Sequence, residues 1–73
     1  MSYSVVMEDQ GCRFFPKGGY KSIGDLVGAI EYAQRAVKRQ GTPKIEAHVT
    51  LVKDNGMHSD TVAIVTRTST TRL

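Results

Sequence analysis

The residues of this chain best suited to chemistry sit in one short stretch, Lys17-Gly18-Gly19-Tyr20-Lys21-Ser22. It is glycine-rich and basic, and it precedes a helical pattern. Free N–H groups at a helix N-terminus, together with the dipole, attract anions such as phosphate. The Lys21-Ser22 pair matches the end of a Walker A loop. That motif needs glycine before the lysine, where Tyr20 stands, and a further glycine five residues earlier. Nucleotide hydrolysis is rejected on those grounds. The plainer reading is a turn whose glycines permit a sharp change of direction and whose Ser22 caps the helix that follows.

Other reactive side chains are scattered. Cys12, His48 and His58 match no compact metal spacing, and a zinc centre wants four ligands, or three and a water. Cys12 lacks a recognisable base and orienting group, so it is expected to pack as a small hydrophobe. Glu8-Asp9 falls at one turn, and Asp54 and Asp60 flank another. No catalytic set emerges, so we expect a non-enzymatic chain with no cofactor and no metal.

The elements that would position these groups can be read from periodicity. Ile23, Leu26, Val27, Ile30, Ala33 and Val37 follow the i, i+3, i+4, i+7 stripe of a half-buried helix. Ser22 and Asp25 have capping-box spacing, and Arg35, Lys38 and Arg39 suit the negative end of the dipole. Gly41 fits the position just past the helix, and Pro43 prevents continuation. Gly24, Gly28 and Tyr32 would then lie on the outer or flanking side, and Glu31 with Arg35 forms a favourable i, i+4 pair.

Residues 44–53 alternate, with Ile45, Ala47, Val49 and Leu51 on one face. Asp54-Asn55-Gly56 supplies a turn, and residues 60–68 return as a second strand. Near the N-terminus, Tyr3, Val5 and Met7 share a face of a first strand, and residues 12–15 form a short second one ended by Pro16. The predicted fold class is α+β: about four antiparallel strands in the order ββαββ, with one amphipathic helix on one face. Residues 1–73 form a single domain, and residues 67–73 either extend the last strand or fray.

In this arrangement the second sheet face carries Val6, Phe15, Val52, Ala63 and Val65, with Arg13, His48 and Arg67 among them. Apolar groups on a face that no second helix covers suggest a partner. Val6, Phe15, Val52, Val65 and Arg67 are therefore the expected protein-binding surface. Lys17, Gly18, Gly19, Lys21, Arg35, Lys38 and Arg39 are the alternative, an anion or nucleic-acid site.

Composition sets the outer bounds. The chain has 73 residues, 40% of them hydrophobic and 23% charged, an ordinary balance for one folded domain. Ten Lys and Arg against seven Asp and Glu give a formal charge of +3. That permits contact with nucleic acid or an acidic protein without demanding either. No apolar run reaches the roughly 20 residues of a membrane span, and the N-terminus has no leader pattern. With a single cysteine there is no internal disulfide, so a cytoplasmic setting is expected. A core this small favours help from a partner, a homodimer first.

The layout of N-terminal hairpin, capped helix and C-terminal hairpin resembles small phage-encoded inhibitors, including some anti-CRISPR proteins. Residues 3–37 also resemble the partial RNase-H-like fold of HicB-type antitoxins: Pro16 matches its proline-containing strand end, while Asp25 alone represents its acidic pair. The resemblance implies a regulator or inhibitor carried by a mobile element, acting by docking on another protein. It transfers no residue role, since one fold hosts many functions.

Overall fold

The tightest connection in the chain joins β1 (Ser2–Asp9) to β2 (Cys12–Phe14). Gln10 and Gly11 between them both take positive φ, 53° and 84°, as a two-residue type I′ hairpin requires. Asp9 pairs with Cys12, Glu8 with Arg13 and Met7 with Phe14. The computed structural model describes residues 2–53 and 58–73, so the expected Asp54-Asn55-Gly56 turn lies outside the described residues.

Helix α1 (Leu26–Arg39) crosses one face of the sheet. Its cap is Asp25, whose carboxylate accepts from the Gly28 N–H; Ser22 does not cap it. The reason is tertiary. Ile23 is drawn into a bridge with β1, exchanging two 2.8 Å backbone hydrogen bonds with Tyr3, so the helix cannot begin before it. The buried stripe is Ala29, Ile30, Ala33, Ala36 and Val37. Val27, expected in the stripe, points outward and is 56% exposed. Gly41 ends the helix at φ 80°, as expected.

β3 (Glu46–Val52), β4 (His58–Val65) and β5 (Thr70–Arg72) complete one antiparallel sheet of order β2-β1-β3-β4-β5. The fold is therefore α+β, as the sequence indicates, with five strands where four are expected. Part of the supposed tail is β5, which pairs with Ala63, Ile64 and Val65. Its turn is closed by Thr66 N–H donating to the Ser69 carbonyl at 2.8 Å.

Two cross-strand rows face the helix, Val5–Val49–Ala63 and Met7–Ala47–Val65, and all six residues are buried. Ile45 fills the end of the same core. Three alanines on α1 let its backbone approach the sheet closely, while each buried Val, Ile or Met side chain contributes ~1.5–3 kcal/mol. This placement corrects one expectation. Ala63 and Val65 belong to the core and not to the second face, because they pair with Val49 and Ala47, the helix-facing residues of β3. Cys12, expected to be packed, is exposed at the edge of the sheet. Among the described residues, no helix is long and apolar enough to cross a membrane.

Candidate functional site

A groove of about 590 Å³ runs between α1 and the segment that leads into it. On the helix side its wall is Gly28, Tyr32, Arg35, Ala36 and Arg39. Arg35 and Arg39 are four apart and so lie on one ridge of the helix. The opposite wall is Pro16, Lys17, Lys21 and Ile23.

That second wall is held at several points. Pro16 is buried, and its carbonyl accepts from Gly19 N–H at 2.9 Å, closing a turn around Lys17. Gly18 and Gly19 stand at φ 100° and 86°, so the turn needs their freedom. Lys17 N–H donates to Gln40 Oε1 at 3.2 Å, and Ile23 is fixed by its bridge to Tyr3. Lys21 places its ammonium 5.3 Å from the centre of the Tyr32 ring, a cation–π contact that spans the groove. Phe15 and Tyr20, next in sequence to Pro16 and Lys21, meet edge to face at 5.8 Å, each close to half exposed, and neither lines the groove.

The groove's electrostatics are one-sided. Lys17, Lys21, Arg35 and Arg39 line it, and its lining includes no acidic residue. None of the four takes part in an ion pair among the described residues; Glu31 does not engage Arg35, contrary to expectation. Asp25 is committed to the helix cap at one end, and Gly28 makes room for it: a Cβ there would come within 3.1 Å of Asp25 Oδ1.

Of the expected anion site, the structure brings together Lys17, Lys21, Arg35 and Arg39. Gly18 and Gly19 shape the turn without lining the groove. Lys38 lies elsewhere, in a hollow of about 340 Å³ shared with Gln34 and residues 66–70, Arg67 among them. The chemistry also differs from the expectation. The glycine-rich turn does not run into the helix N-terminus; it sits against the C-terminal end through Lys17 and Gln40. An anion in the groove would be held by side-chain cations rather than by the dipole.

The expected docking patch is not assembled. Val65 is core and Val52 is 4% exposed. Phe15 lies beyond β2, against Tyr20. Arg67 donates to the Gly41 carbonyl at 3.1 Å and more loosely to that of Gln40, tying the chain after β4 to the end of α1. Val6 and Val52 share the face turned away from the helix, Val6 half-buried and Val52 buried.

That open face is largely polar. Ser4 and Thr50 are buried and joined by a 2.9 Å hydroxyl–hydroxyl hydrogen bond. Arg13 Nε donates to Glu8 Oε1 at 3.0 Å, and His48 Nε2 lies 3.1 Å from Glu46 Oε1. Candidate ligand atoms of Glu8, Glu46 and His48 all fall within 4.8 Å of one another. Sequence reasoning missed this cluster. The only signal was Glu46 and His48 two apart on a strand, while Glu8 joins them through β1–β3 pairing across 38 residues of chain. Comparison with known families, curated proteins and solved structures finds no match for this chain.

Proposed function

We propose that this chain is a non-catalytic binding module whose groove between α1 and residues 16–23 takes the phosphate backbone of a nucleic acid. One observation carries the reading: Lys17, Lys21, Arg35 and Arg39 converge on one groove lined by no carboxylate. Four cations held together repel one another, and an anionic ligand removes that cost. The exposed Phe15 and Tyr20 rings, next in sequence to Pro16 and Lys21 of the groove wall, add surfaces on which bases can stack. A cytoplasmic setting accords with such a partner.

The test is fluorescence anisotropy with short labelled single- and double-stranded DNA and RNA at low salt. Saturable binding that weakens as salt rises supports the reading. No binding at about 50 mM salt removes it, since phosphate contacts are strongest there.

A second reading keeps the protein-docking expectation, a regulator or inhibitor that pairs with another protein or with its own copy. It is favoured by a single row on the open face, where half-buried Val6 and Ile64 flank His48 across β1, β3 and β4. Light scattering across a concentration series checks self-association. A constant monomer mass sinks the homodimer.

A further inference from the structure

We propose that Glu8, Glu46 and His48 form a binding site for a divalent transition-metal ion, zinc first, on the sheet face turned away from the helix. The site is independent of the groove. Its framework is two paired strands. Glu46 and His48 are two apart on β3 and therefore share a face, and Glu8 on β1 is the direct cross-strand partner of Glu46. Ligands on paired strands are set more firmly than ligands on loops.

The spacing suits a first-row metal. Two ligands each ~2.0–2.1 Å from zinc, at the tetrahedral angle, stand about 3.4 Å apart. His48 Nε2 and Glu46 Oε1 are 3.1 Å apart, and the Glu8 carboxylate completes a triangle with no side longer than 4.8 Å.

Charge points the same way. Carboxylates directly opposite each other on neighbouring strands repel. Arg13 offsets Glu8 from the exposed β2 edge, whereas Glu46 has an imidazole for its partner. A dication between the two carboxylates turns the repulsion into attraction. His48 is the least exposed of the three, its side chain 14% accessible, and Val6 and Ile64 flank it on the adjacent strands. That apolar flank limits water and restricts the ring.

The donor set selects the ion. Magnesium and calcium prefer oxygen ligands alone, whereas an imidazole with two carboxylates suits zinc. The ion takes the Nε2 lone pair, so the ring proton resides on Nδ1. Three protein ligands leave one position for water.

The experiment is calorimetric titration of the chelator-dialysed full chain with zinc chloride, with cobalt absorption as a second readout. One ion per chain and a tetrahedral cobalt spectrum are expected, with magnesium giving no heat. Glu46→Gln keeps the side chain's shape and removes the like-charge contact, so it tests the site without threatening the fold. It and His48→Ala should each weaken zinc binding by at least about tenfold, as losing a ligand costs more than losing a group that only orients one. Cys12→Ser and Lys21→Gln should bind zinc as the parent does. No zinc binding, unchanged binding in Glu46→Gln, or loss of binding in Cys12→Ser would each overturn the proposal.

Discussion

Salt offers a direct way to count the cations that the groove commits to a ligand. Each phosphate neutralised on a single strand contributes about −0.7 to the slope of log affinity against log salt. If Lys17, Lys21, Arg35 and Arg39 each meet one phosphate, the slope is about −2.8, and affinity falls about fifty-fold between 50 and 200 mM salt. Arg39→Gln removes one contact, which lowers the slope to about −2.1 and the same fall to about eighteen-fold. Lys38→Gln is the control. Lys38 is the next residue along the helix and carries the same charge, but it lies in the other hollow. It should leave the slope unchanged. Anisotropy titrations of a labelled single strand at several salt concentrations read all three numbers. Equal effects of Arg39→Gln and Lys38→Gln would show that binding answers to net charge alone, and the groove would lose its special status.

Two further outcomes probe the fold that holds the site. Gly41→Ala pays for a left-handed backbone and also drives a Cβ against Ile45 and Asp9, whereas Gly11→Ala has the first penalty with open space around it. Urea unfolding should show Gly41→Ala less stable than Gly11→Ala by about 1–3 kcal/mol, the usual cost of overpacking; equal losses would refute the crowding. Val65→Asp places a carboxylate among Met7, Ala47 and the helix, where an unpaired charge is expensive. Circular dichroism should report an unfolded chain; a folded variant would return Val65 to the surface.

How far the sequence could be read depended on whether a feature was local. Ile30, Ala33 and Val37 mark the helix by spacing alone, and Gly41 marks its end. Its start was not legible, because Ser22 and Asp25 are both competent caps and the choice is made by Ile23 bonding to Tyr3, twenty residues away. β3 was legible from its alternation. The faces of β4 were not, since they depend on Ala63 and Val65 pairing with Val49 and Ala47 across an irregular stretch with two register shifts. β5 has no apolar alternation at all; Thr70–Arg72 becomes a strand because β4 offers it an edge.

The same distinction governs the sites. The cations were visible by type, but their division was not. Gln34 and Lys38 form one i, i+4 ridge and Arg35 and Arg39 the next, and only the fold shows which ridge faces residues 16–23. Glu8, Glu46 and His48 come from opposite halves of the chain, and nothing local links them before β1 pairs with β3.

The two short border strands cover their long neighbours only in part: β2 pairs with Met7, Glu8 and Asp9 of β1, and β5 with Ala63, Ile64 and Val65 of β4. On the β1 side the Tyr3–Ile23 bridge occupies a further point of the edge. The stretch of β4 before Val62 is therefore the longest run of main chain, among the described residues of the sheet borders, that no border strand pairs with, and it is where a strand of a neighbouring molecule has room to add.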